Sequence, residues 1–98
     1  MKLEEYKMAK KFQILTLEPE QRDFILKYIS YGLMDDIAKK LERAKVGKYG
    51  FVNVRLNKGD LEDLAGMLAL ETNHNESRRI SDMAGEIADI VEGLIYLD

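Results

Sequence analysis

The clearest hydrophobic pattern lies in the last twenty residues. Ile80, Met83, Ala84, Ile87, Ile90, Val91, Leu94 and Leu97 recur at spacings of three and four, the period of a helix with one buried face. Leu61, Leu64, Ala65 and Leu68 form a matching stripe upstream. Segments 59–72 and 76–97 therefore read as an antiparallel helical hairpin, regular enough for an internal bundle or a dimer seam.

Two apolar stripes in the first half conflict with each other. Phe24, Ile25, Tyr28 and Ile29 form one, and Leu33, Met34, Ile37, Ala38, Leu41 and Ala44 the other. At about 100° per residue they point roughly 170° apart, so one straight helix cannot bury both against a single core. The pattern predicts a break at Ser30–Gly32, with the glycine as helix stop and a second helix running to about Lys45. The first helix starts at Pro19, with Glu18 as cap and Gln21 placed to complete a capping box.

Between Gly47 and Asn57 the period changes. Phe51, Val52, Val54 and Leu56 have strand character, and Asn57 with Asp60 suits a cap and its third helical position. Leu56 and Leu61 are spaced as a hydrophobic staple, and Glu62 and Asp63 suit the positive end of a helix.

"FQILTLEPEQRD" from Phe12 parallels "FVNVRLNKGDLED" from Phe51: each runs from Phe through an extended stretch to Leu, then a polar cap and a helix. The offset is 39 residues, and Leu17 maps onto Leu56. One reading is a duplicated β-α-α unit with its two strands paired. The other makes residues 3–15 an N-terminal helix with Leu3, Tyr6 and Phe12 partly buried; residues 1–17 are compatible with either. The expected fold class is mainly α, a helical hairpin or bundle with a short two-stranded β element, in one small domain spanning residues 1–98.

Composition narrows the function classes. With 98 residues, 46% apolar, the chain fits one modest core, and sharing apolar surface in a homo-oligomer, a dimer or higher, suits a domain of this size. The absence of cysteine removes disulfides, thiolate chemistry and cysteine-ligated metals. "MKLEEYKMAKKF" lacks the apolar core of a secretory signal, and no apolar run approaches the roughly 18 residues of a membrane span; a cytoplasmic location is expected. The net charge of −3 conceals an asymmetry: residues 1–49 carry 11 Lys/Arg against 8 Asp/Glu, and residues 50–98 carry 4 against 10. The densest basic cluster contains Lys39, Lys40, Arg43, Lys45 and Lys48. It could touch phosphates or simply form a solvated helix end where cations suit the dipole.

"LETNHNESRR" raises the question of metal chemistry. Glu71 and His74 form Glu-x-x-His, a ligand pair of di-iron bundles, but His74 is the only histidine, and a centre would need two such motifs plus two further glutamates. The stretch reads instead as a turn between helices, with Asn73 or Asn75 stopping one helix or capping the next. Asn73, His74, Asn75, Arg78 and Arg79 then crowd polar groups at one hairpin tip, where guanidiniums can bind a phosphate or carboxylate or pair with nearby acids. A second motif, Glu86-x-x-Asp89, resembles the acidic motif of all-α nucleoside triphosphate pyrophosphohydrolases, whose carboxylates hold magnesium. The earlier acidic pair of that family is poorly matched by Asp60-x-x-Asp63 and Glu71. Gly85 and Gly93 on the same helix face, each costing about 1 kcal/mol relative to alanine, could admit a close partner.

Residues 54–87 resemble a pattern in small phage and prophage accessory proteins. A strand-like V-x-L leads into a Leu- and Glu-rich helix ending near E-x-N-H, with Leu61, Leu64, Glu71, Asn73 and His74 as the matching positions. The resemblance implies a protein acting in the host cytoplasm that inhibits a host or defence component, by binding a protein or sequestering a nucleotide signal. The expected function is thus non-enzymatic binding, without cofactor or metal, of a protein partner or a nucleotide-type ligand. The candidate contacts are Asn73, His74, Asn75, Arg78 and Arg79 at the tip and Lys39, Lys40 and Arg43 on the basic helix. A magnesium-dependent pyrophosphohydrolase and a nucleic-acid-binding regulator are the alternatives.

Overall fold

The structure, a computed structural model, describes residues 12–74 and 76–96. Its elements run β1 (Phe12–Leu17), α1 (Pro19–Phe24, continuing through irregular turns to Gly32), α2 (Asp35–Arg43), β2 (Val52–Asn57), α3 (Lys58–His74) and α4 (Arg78–Ile95). The protein is mainly helical, with one short antiparallel ribbon in which Phe12 faces Asn57 and Leu17 faces Val52. Strand pairing overturns the N-terminal helix for residues 12–15; residues 1–11 of that alternative lie outside the described residues.

The order strand–helix–helix occurs twice. Both strands lead directly into capped helices whose caps are also 39 residues apart. Glu18 N–H donates to Gln21 Oε1 at 2.8 Å, and Asn57 N–H donates to Asp60 Oδ2 at 3.2 Å while Asn57 Oδ1 accepts from Asp60 N–H at 2.8 Å. These bonds satisfy donors that the first helical turn leaves unpaired. The second helix of each unit packs against the strand of the other, α2 on β2 and α4 on β1.

The break in the first half falls where the two stripes demand it. After Phe24 the helix widens into a π-helical turn, Ile25–Ile29, then tightens into a 3₁₀ turn, Ser30–Gly32. Ser30 Oγ donates back to Leu26 O at 2.6 Å, a bond that bends helices. Leu33 and Met34 are extended, and α2 restarts with Asp35 and Asp36 at its positive end. Gly32 lets this corner pack against the end of the Met67 side chain, which would have to shift to make room for a Cβ. The second helix ends at Arg43, two residues before the expected Lys45.

The core draws on both units. Leu15 and Leu17 from β1 and Val52, Val54 and Leu56 from β2 point to one side of the ribbon, where they meet Ile25, Ile29, Ile37, Leu41, Leu61, Leu64, Leu68, Ile87 and Val91. The staple pair Leu56 and Leu61 is fully buried. The hairpin forms as its spacing predicts, with Ser81 Oγ donating to Thr72 O at 2.7 Å across it. Within α4 the stripe is rotated slightly: Ala88 is buried and Ile90 is 37% exposed. Met34 is likewise exposed, since it serves as the N-cap residue of α2 rather than as part of its inner face. Leu97 lies outside the described residues.

Candidate functional site

The ribbon has an outer face that no described helix covers. On it Phe12, Ile14 and Thr16 alternate with the buried positions of β1, as Asn53 and Arg55 do on β2. Thr16 Oγ1 and Asn53 Oδ1 are bonded across the strands at 2.7 Å. At the edge of this face, α2 and β2 border a shallow, open groove of about 500 Å³ lined by Phe12, Lys40, Arg43, Ala44, Asn53, Val54 and Arg55.

Each wall has a local cause. Ile37 and Leu41 hold α2 in the core, which leaves Lys40 and Arg43, three apart and on one flank, turned to the groove. The end of α2 is clamped by Arg22 from α1, whose guanidinium donates to Leu41 O at 3.1 Å and Ala44 O at 2.8 Å. A cation at a helix C-terminus satisfies carbonyls that have no partner within the helix. Arg22 also pairs with Asp23 at 2.7 Å. Arg55 reaches the groove because strand alternation sends it outward between buried Val54 and Leu56.

The groove is electropositive and aromatic. The Arg55 Cζ lies 4.6 Å from the centroid of the Phe12 ring, and Lys40 Nζ lies 5.9 Å from it, both within cation–π range. Lys40 also meets Asp60 Oδ2 at 3.5 Å, which joins α2 to the start of α3. One guanidinium and one ammonium thus lie beside the Phe12 ring, and Arg43 adds a second guanidinium to the groove lining. Arg side chains grip phosphate or carboxylate oxygens in a bidentate fork, and an aromatic ring offers a stacking surface for a base.

The expected site residues divide into two places. Lys40 and Arg43 line the groove; Lys39, their neighbour on α2, is exposed and does not. His74 closes α3 at the bend, exposed along with Asn73, and Asn75 lies outside the described residues. Ser77 caps α4, its Oγ accepting from Ile80 N–H at 3.4 Å. Arg78 and Arg79 are exposed in the first turn, where Arg79 lines a separate cleft between α1 and α4 with Lys27, Phe24, Tyr28 and Met83. The tip and the basic helix share no lining residue.

Phe12, Asn53 and Arg55 are the groove residues that the sequence reading missed. Their signal was present in the strand pattern, since outward positions on paired strands come together once the register is known. The acidic motif does not assemble a centre: Glu86 and Asp89 are exposed on α4, and among the described residues no three His, Asp or Glu side chains form a metal-binding group. A Cβ on Gly85 would make ordinary van der Waals contact with Thr72 of α3, while a Cβ on Gly93 would meet open space. Among the described residues no helix is long and apolar enough to cross a membrane. Comparison with protein-family models, curated proteins and solved structures gave no match.

Proposed function

We propose that this protein is a non-enzymatic binding protein whose α2–β2 groove takes a nucleotide-type ligand, with phosphate held by Lys40, Arg43 and Arg55 and a base laid against Phe12. One observation carries this: Lys40 and Arg55, from two elements, both lie within cation–π range of one accessible aromatic ring, in a groove that Arg43 also lines. A ligand offering both negative oxygens and a flat π-face matches that combination, because the cations supply the charge-assisted bonds and the ring the contact area. A plain dicarboxylate would use only the first part. Together with the resemblance of residues 54–87 to phage accessory proteins, the reading extends to sequestration of a nucleotide signal during inhibition of a host or defence component. Self-association belongs to the same reading, with exposed Ile90 on α4 as apolar surface that a second copy would cover.

Calorimetric titration with a panel of nucleoside mono-, di- and triphosphates tests the groove. Saturable binding is expected, with the nucleotide recovered chemically unchanged. Arg43→Ala combined with Arg55→Ala should weaken it at least tenfold, as expected for loss of charge-assisted bonds. Absence of binding across the panel, or turnover of the bound nucleotide, would overturn the proposal.

A further inference from the structure

The groove opens onto the outer face of the ribbon, and that face carries a second aromatic at its far end. Phe51, the repeat equivalent of Phe12, is 44% exposed and Phe12 is 36% exposed. Phe51 precedes Val52 and by strand alternation continues the side that bears Asn53 and Arg55. Asn57 lies opposite Phe12, six residues along the chain from Phe51. At roughly 3.3 Å per residue the two rings stand on the order of 20 Å apart along the ribbon. Between them lie Ile14, 52% exposed, and the bonded pair Thr16 and Asn53.

Charge supports the two ends. Lys40 and Arg55 flank the Phe12 ring, and Arg43 lines the same groove. Beyond Phe51 a tight turn, closed by Gly47 N–H donating to Phe51 O at 2.7 Å and Gly50 N–H to Gly47 O at 3.0 Å, presents Lys48 with its ammonium 5.8 Å from the Tyr49 ring centroid. None of the outward residues Phe12, Ile14, Thr16, Asn53 and Arg55 is acidic. Asp60, at the start of α3, reaches this end through its 3.5 Å pair with Lys40.

We infer that this face is a platform for a short stretch of single-stranded nucleic acid, its bases laid across the ribbon from Phe12 to Phe51 and its phosphates held at the basic ends. Sheet platforms with exposed aromatics stack two or three bases in this manner, and base–aromatic stacking tolerates any sequence. Duplex is disfavoured, since its bases are already stacked on each other and cannot lie on the rings. This rests on the nucleotide reading of the groove and extends it from one nucleotide to several.

Fluorescence anisotropy with labelled oligouridylate and oligothymidylate of two, four, eight and twelve nucleotides, beside uridine monophosphate as competitor, tests the inference. Affinity should rise between two and about four nucleotides and weaken with salt at a logarithmic slope near −2, as roughly three phosphate contacts require. Phe51→Ala should weaken the eight-nucleotide probe at least about fivefold and leave mononucleotide affinity unchanged, with an unaltered thermal melt as the folding control. Affinity that is independent of length and insensitive to Phe51→Ala would overturn the platform while leaving the groove reading standing. No binding of mononucleotide or oligomer would overturn both. Equal affinity for duplex, or light scattering showing a dimer that Phe51→Ala dissociates, would also overturn the platform, the latter by giving the face to a second copy.

Discussion

Leu15 and Val54 face each other across the ribbon, and they are also repeat equivalents, 39 residues apart. Strand pairing runs in opposite directions along β1 and β2, whereas the repeat runs in the same direction along both, so the two relations coincide at this one pair. Leu15–Val54 is therefore the pair at which the ribbon's register and the 39-residue offset of the two β-α-α stretches meet. Equal offsets at the caps, Glu18 with Asn57 and Gln21 with Asp60, carry the same spacing from the strands into the helix starts.

That position makes Leu15 a sensitive point of the core. It is fully buried and sits where both units meet. Leu15→Ala should cost about 2–5 kcal/mol, the range for buried leucine truncation. Urea denaturation followed by circular dichroism is the check: the midpoint should fall with little change in slope, since the surface exposed on unfolding is nearly the same. Val54→Ala should cost less, because a smaller side chain is removed. The two losses should not be additive, because the residues are direct neighbours.

The caps offer a comparison between the two units. Asn57→Ala removes an acceptor for Asp60 N–H and should cost about 0.5–2 kcal/mol. Gln21→Ala removes only the reciprocal half of its box, on an exposed helix start, and should cost less. Thermal melts of both variants test the ordering. A larger loss for Gln21→Ala would show that the first unit, not the second, depends more on its cap.

Much of this architecture was legible in the chain, and for identifiable reasons. The α3–α4 hairpin announced itself because Leu61, Leu64, Leu68, Ile87 and Val91 obey a single period over several turns. The break at Ser30–Gly32 could be placed because two incompatible stripes had to be reconciled. The capping boxes were visible because Glu18–Gln21 and Asn57–Asp60 have local chemistry at fixed spacing. The groove was only half legible. Lys40 and Arg43 lie on one helix and are close in sequence, but Phe12 and Arg55 join them through strand register, a non-local relation that spacing along the chain does not encode. Ile90 was misread because the α4 stripe is wide, and only packing against α3 shows that Ala88 takes the inward place.

The tip and the groove make separable predictions. Arg78→Ala with Arg79→Ala alters the start of α4, which contributes no residue to the groove. Nucleotide affinity should stay within about twofold of the unaltered protein, and the melt should move little, as for other exposed surface substitutions. If a protein partner binds at the tip, its capture by the unaltered protein should be lost in this double variant while nucleotide binding persists. Loss of nucleotide affinity in the same variant would place the tip, and not the groove, at the binding site.

Arg22 connects stability to binding. Its guanidinium bonds two carbonyls at the end of α2, and that turn carries Arg43 and Ala44 into the groove wall. Arg22→Ala leaves those carbonyls without their donor, at a cost on the order of 1–3 kcal/mol for partly buried acceptors of charge-assisted bonds. The last turn of α2 should then fray, so amide hydrogen exchange at Glu42, Arg43 and Ala44 should quicken while exchange in α3 remains slow. Nucleotide affinity should fall although Arg22 does not line the groove. Arg22→Lys should restore part of the stability but little of the clamp, because an ammonium lacks the planar fork that spans two oxygens. Faster exchange throughout the core would mean that Arg22 supports the fold as a whole and not the groove wall in particular.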